Sequence, residues 1–204
     1  MTMNVFPIGA TTPSMIIKRW KDLNTDERHR ELIRCAARHA GQTVTLNFAP
    51  DFADRFQNTA APMRLIGKRM NAAFKKADLV ALPVMLVLEA TRDDGRPHLH
   101  GVFIGNGLSK QHIQQVMREA VGLVPGRRGA RQFMAKNIYS PDGWTSYIYE
   151  DRKVTRKMLK LAEDERLTWV SRAMTACARD TYEAVRLGRT STANTNAGLA
   201  AHGT

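Results

Sequence analysis

The chain has 204 residues, 43% hydrophobic and 25% charged, proportions that suit a soluble globular protein and exclude fibrous or low-complexity classes. Lys and Arg number 31 against 19 Asp and Glu, for a formal charge of +12 and a pI near 10.2. That excess favours a polyanionic partner, nucleic acid first and an anionic membrane surface second. No apolar run approaches the roughly 20 residues that a bilayer-crossing helix needs, and residues 1–14 lack the basic and apolar regions of a signal peptide. The expectation is a cytoplasmic protein without a membrane partner.

The opening stretch to Leu23 reads as irregular, punctuated by Pro7, Gly9 and Pro13. Asn24-Thr25-Asp26-Glu27 marks a helix start leading into Arg28–Ala40, with Gly41 as the stop. Thr43–Phe48 is rich in β-branched and aromatic residues and predicts a first strand. After Pro50, apolar residues at Phe52, Phe56, Met63, Ile66, Met70 and Phe74 recur at helical spacing. Leu79–Leu88 is too short to span a membrane and reads as a buried strand, within a strand-like stretch Val80–Thr91.

Asp93-Asp94-Gly95 is a turn signal and His98–Ile104 is strand-like again, which predicts an antiparallel hairpin. Ser109–Val121 follows as an amphipathic helix with Ser109 as N-cap. Arg127, Arg128 and Arg131 fall in a Gly-rich basic loop, and Gln132–Tyr139 predicts a further strand. Pro141-Asp142-Gly143 then turns into a helix-like run, Trp144–Lys153. The fold class is therefore α+β, an antiparallel sheet with flanking helices in the order β-α-β-β-α-β-α. It divides into residues 1–41 (N-terminal segment and helix), 42–153 (the α+β unit) and 154–188 (a basic helical extension). Residues 189–204 form a small, polar tail expected to be disordered. An apolar stripe within the extension would pack on the α+β unit or form an oligomer interface. Cys35 and Cys177 stand apart in helical contexts with no Cys-x-x-Cys spacing, and read as buried, reduced thiols.

Side chains alternate along a strand, so His98 and His100 share a face while Leu99 takes the other. Such a pair is either a metal site or a stacked surface pair. Glu89 is the first charge to interrupt the preceding apolar run, and a hairpin around Asp93–Gly95 brings it beside the histidine strand. Two imidazoles and one carboxylate leave coordination positions open for water and substrate, as a catalytic metal requires. Tyr147 and Tyr149 follow the last strand; they are nucleophile candidates or ordinary tyrosines packed beside Trp144 and Ile148. Arg127, Arg128, Arg131 and Lys136 lie in a stretch free of acidic residues from Ala120 through Ile138. Lys153, Arg156, Lys157 and Lys160 follow the tyrosines. Such clusters neutralise phosphates without reading sequence, although a solvated helix face accounts equally well for the second.

Glu89 followed by ATRDDGRPHLHGVFI resembles the metal-binding motif of the HUH endonucleases, in which two histidines flank a hydrophobic residue on a strand. Thr43–Phe48 is similar to the first motif of their rolling-circle replication initiators, and Trp144–Asp151 (WTSYIYED) to the third, tyrosine-bearing one. The resemblance covers about 42–153 and is carried mainly by the histidine motif. It implies a single-tyrosine initiator of a bacterial plasmid or phage, a metal-dependent enzyme that nicks and rejoins single-stranded DNA through a 5′-phosphotyrosine link. Mg²⁺ or Mn²⁺ would be held by Glu89, His98 and His100, with Tyr147 as nucleophile, Tyr149 as its alternative, and Lys153 assisting. DNA would be held by Arg127, Arg128, Arg131, Lys136, Arg156 and Lys157. The implied partners are single-stranded DNA or a hairpin at an origin, with a host helicase and polymerase. One departure stands out: three residues after Tyr147 the family usually has lysine, and here it is Glu150. A transposase or relaxase of the same chemistry, or a non-catalytic DNA-binding protein, is the competing expectation.

Overall fold

The computed structural model describes residues 17–57, 59 and 61–189; the tail over 190–204 and the opening 1–16 lie outside them. A short 3-10 turn at Trp20–Asp22 leads into α1, Thr25–Arg38. This helix begins where the sequence places it because Asn24 and Glu27 form a reciprocal capping box. Asn24 Oδ1 accepts from the Glu27 amide at 2.9 Å, and Glu27 Oε2 accepts from the Asn24 amide at 2.7 Å. An N-cap of this kind contributes about 1 kcal/mol.

Five strands follow in one antiparallel sheet: β1 Gln42–Asn47, β2 Val84–Ala90, β3 Pro97–Phe103, β4 Phe133–Asn137 and β5 Thr168–Val170. Their spatial order is β4-β1-β3-β2-β5. Between β1 and β2 come α2 (Pro50–Gln57) and α3 (Pro62–Lys76); between β3 and β4 come α4 (Lys110–Ala120) and the four-residue α5 (Gly126–Gly129). After β4 the chain forms α6 (Pro141–Glu150) and α7 (Arg152–Met158), and after β5 it ends in α8 (Arg172–Arg186).

Strand alternation sorts the sheet into two unlike faces. Leu46, Leu99, Phe103, Leu86 and Leu88 join Phe56, Ile66, Met70, Phe74 and Met117 in the larger core, under α2, α3 and α4. Met85, Val87 and Val102 join Leu32, Ile33, Cys35, Ile148, Met174 and Ala178 in a smaller core under α1, α6 and α8. Each fully buried Leu, Ile or Phe contributes about 1.5–3 kcal/mol through removal from water. His98 and His100 project from the second face, beside a cleft next to α6.

The α+β class, the antiparallel hairpin and the Ser109 N-cap agree with the sequence reading; Ser109 Oγ accepts from the His112 amide. The stretch read as a basic helical extension differs. It contains β5, which pairs with β2 at Val87–Thr168, Leu86–Trp169 and Met85–Val170. Ser171 then ends the strand and caps α8. Its hydroxyl accepts from the amides of Val84 and Met174 and donates to the Leu82 carbonyl, at 3.0–3.1 Å. Residues after 153 thus complete the sheet and pack on it, the packing alternative for their apolar stripe. The predicted Trp144–Lys153 helix is also two helices. The first starts earlier, with Pro141 in its first turn and Ser140 as N-cap, and it breaks at Asp151.

Candidate metal centre and tyrosine helix

The β2–β3 register pairs Glu89 with His98 and Val87 with His100. Gly95, at φ +65°, lets the connecting turn close. Both histidines and Glu89 therefore project from one face, and their ligand atoms fall within 4.8 Å of one another. His98 Nε2 and His100 Nε2 lie 3.0 Å apart. Glu89 Oε1 is 3.8 Å from the first and Oε2 is 3.4 Å from the second. The histidines are 8% and 5% exposed, so the centre is sunk into the sheet rather than displayed on it.

The outer nitrogens are held as well. His98 Nδ1 faces the Arg96 carbonyl at 3.3 Å; a carbonyl only accepts, so this nitrogen carries the hydrogen and Nε2 keeps its lone pair for the centre. His100 Nδ1 meets the Thr45 hydroxyl at 3.0 Å. Burial lowers both imidazoles below their ordinary range, His100 to about 3 with help from His98. Burial, then the Asp151 carboxylate, pushes Glu89 up to about 7 against the pull of Arg92. Neutral imidazoles beside a carboxylate form no ion pair. Without a cation His100 Nε2 donates to His98 Nε2 and its Nδ1 accepts from the Thr45 hydroxyl; a cation would require the His100 hydrogen to move to Nδ1.

Tyr147 and Tyr149 separate cleanly. Successive helix residues turn by about 100°, so residues two apart point to nearly opposite sides. Tyr147 faces the centre: its ring sits edge-on to His100 at 5.3 Å and stacks on Trp144 at 5.1 Å. Trp144 is anchored in turn, its indole donating to the Gly101 carbonyl at 3.2 Å. Tyr147 is 49% exposed, and burial with the nearby carboxylates of Glu89, Asp151 and Glu150 raises its phenol above the ordinary value. Tyr149 points into the helix layer, stacked on His29 at 5.7 Å, with the Arg152 guanidinium 3.6 Å above its ring. Burial raises its phenol well above the ordinary value, and its buried hydroxyl has no hydrogen-bond partner.

The other expected residues divide by location. Lys136 lines a cleft of about 510 Å³ together with Thr43, Thr45, Asn47, Arg96, both histidines and Tyr147. Arg131 is exposed, and its carbonyl accepts from Asn47 Nδ2 at 2.9 Å. Arg127 and Arg128 belong to α5, where their side chains lie outside the described residues. Their loop is fastened by buried Gln132, whose amide donates to the Gly122 carbonyl and accepts from Arg118 and from the Val124 amide. Lys153 and Lys157 are exposed and do not line the cleft. Arg156 leaves the cleft altogether: it donates to the Glu165 carbonyl at 3.0 Å and lines a separate pocket with His29 and Arg152. Glu150, three residues after Tyr147, lies 3.8 Å from Arg92, whose closer partner is Asp151 at 2.5 Å.

Sequence reasoning missed Thr45, Asn47, Arg96 and Trp144 as parts of this site. The signal for the first two was present: in β1, Thr43, Thr45 and Asn47 alternate with Val44 and Leu46, a polar stripe facing the histidines. No known protein family, curated protein or solved structure matches this chain. Fold and site define it as an α+β protein with a buried Glu-His-His cluster and an adjacent, half-exposed tyrosine.

Proposed function

We propose that the chain is an HUH-type endonuclease and strand transferase acting on single-stranded DNA. The observation that carries this reading is the convergence of Glu89, His98 and His100 beneath the Tyr147 ring. Two imidazole nitrogens and a carboxylate suit a divalent cation, and three ligands leave positions open. The set fits Mn²⁺ through its nitrogens and Mg²⁺ through its oxygens. Bound there, the cation would act as a Lewis acid on a non-bridging oxygen of the scissile phosphate.

The chain's own residues supply the rest. Tyr147 Oη attacks phosphorus as the bond from phosphorus to the 3′ oxygen breaks. The phenol proton leaves to solvent through the open side of the cleft, and the departing oxygen takes up a proton to become a free 3′-hydroxyl. The 5′ end stays on Tyr147 as a phosphotyrosine diester, so the same groups run backwards when a 3′-hydroxyl returns. Trp144 fixes the phenol's approach by stacking. Lys136 places positive charge in the cleft, a role the family's lysine would otherwise fill, and Arg96 lines the same cleft with its guanidinium paired to Asp94 at 2.7 Å. Initiation of rolling-circle replication, at an origin strand or hairpin and with a host helicase and polymerase, is the process we assign; transposition or conjugative transfer would use identical chemistry.

The test is covalent capture of labelled single-stranded origin DNA with Mn²⁺. Wild type and Tyr149→Phe should both become linked to the DNA, and Tyr147→Phe should not. Capture by Tyr147→Phe at the wild-type level would sink the assignment, and shifted but never linked DNA with every variant would leave a binding protein.

A further inference from the structure

Cys35 and Cys177 are 142 residues apart in the chain, yet their sulfurs lie 3.4 Å from one another. The sequence alone shows them as separate, buried, reduced thiols. The fold brings them together, because α1 and α8 pack side by side. His39 is the C-cap of α1, one turn beyond Cys35, and Cys177 and Thr181 are one turn apart on α8, so each pair shares a side. The four side chains meet. Cys35 Sγ is 3.6 Å from Thr181 Oγ1, and His39 Nε2 is 3.1 Å from the same hydroxyl. Ligand atoms of Cys35, His39 and Cys177 all lie within 4.8 Å.

We propose that Cys35, His39 and Cys177 form a second metal site, for a thiophilic cation of the zinc class. Zinc with Zn–S bonds of about 2.3 Å holds two thiolates roughly 3.8 Å apart, so the sulfurs need only a small outward shift. Thiolate and imidazole select zinc over the harder cations suited to Glu89, His98 and His100. Burial is graded from Cys35, which is buried, through Cys177 to exposed His39, giving the ion an entry path from the His39 side. The Thr181 hydroxyl or a water completes four-coordination. The site would staple α1 to α8 over the smaller core; it belongs to the helix layer and stands apart from the cleft chemistry.

The experiment uses the full chain carrying His98→Ala and His100→Ala, so that bound metal reports on the cysteine site alone. Under reducing, oxygen-free conditions this variant should bind one zinc per chain, and added Co²⁺ should give a sulfur-to-cobalt charge-transfer band. Zinc at about a hundredfold above Kd should raise Tm by about 5–10 °C and slow alkylation of Cys177. Adding Cys177→Ser or His39→Gln, on the accessible side, should abolish the band or weaken zinc binding at least tenfold. If Cys35→Ser fails to fold, these two variants still decide the matter. Absence of the sulfur band overturns the proposal. So does equal alkylation with and without zinc, or a Cys35–Cys177 disulfide that forms as fast in saturating zinc as without it. None of these outcomes bears on covalent capture by Tyr147.

Discussion

The Thr45 hydroxyl lies 3.0 Å from His100 Nδ1, and the two residues are directly opposed in the β1–β3 register. The contact turns the ring so that Nε2 faces Glu89 and His98. A partner of this kind orients a metal ligand, and its loss typically costs about 10–100-fold in metal affinity. Thr45→Val keeps the shape of the side chain and removes the hydroxyl. The Kd for Mn²⁺ from calorimetry should rise by about that factor while the circular dichroism spectrum is unchanged; an unaltered Kd would mean that the ring is held by packing alone.

Gly101 is paired with Leu86 in the β2–β3 register. A Cβ there would overlap the Met85 carbonyl oxygen and approach its carbon at 2.9 Å. Both neighbours are backbone, which cannot step aside without opening the ladder between Glu89 and the histidines. Gly101→Ala should cost about 3 kcal/mol or more, measured by urea denaturation. It should also disturb the Trp144 indole, which hydrogen-bonds the carbonyl of the same residue. A change below about 1 kcal/mol would show that the strands separate more readily than their register suggests.

His29 gives a pH dependence remote from the cleft. Burial, with Arg152 nearby, lowers its pKa from 6.5 to about 4. Between those values the unfolded chain binds a proton that the folded chain refuses, so stability falls as pH drops from about 6.5 to 4. The contribution is about 3 kcal/mol at most, reduced by partial solvent access. His29→Gln removes that titration. Its stability relative to wild type should improve progressively below pH 6.5 and stay level above it, by urea midpoints across the range. Parallel curves would exclude His29 as the source.

Lys136 projects into the cleft and makes no ion pair among the described residues. Its role as a phosphate contact predicts that Lys136→Gln weakens single-stranded DNA binding uniformly across sequences. The slope of log K against log salt should fall by about 0.7, the single-strand value for one lost phosphate contact. Fluorescence anisotropy at several salt concentrations measures this directly, and an unchanged slope would place the backbone elsewhere.

The cluster was legible because its parts are local. Alternation put His98 and His100 on one side, and a tight turn brought Glu89 opposite. The capping residues Asn24 and Ser109 were legible for the same reason. β5 was hidden: three residues are too few to display a period, and they form a strand because β2 offers an open edge. Its central residue depends on the distant Gly67, where a Cβ would come within 2.6 Å of the Trp169 ring. Which of Tyr147 and Tyr149 faces the cluster depends on which side of α6 meets the sheet, and that is set by the packing of Ile148 and Trp144. Pairings between α1 and α8, such as Cys35 with Cys177, exist only after the whole chain has closed.

Tyr147 and Tyr149 share one short rod, and that ties their motions together. Any movement of the helix that withdraws the outer phenol from the histidines must drag the inner one out from between His29 and Arg152. The outer ring can turn about its own bonds, but its anchor point cannot drift alone. Disturbance of the buried ring should therefore register at the opposite flank, as altered reach toward a bound strand, although no atom there has been changed.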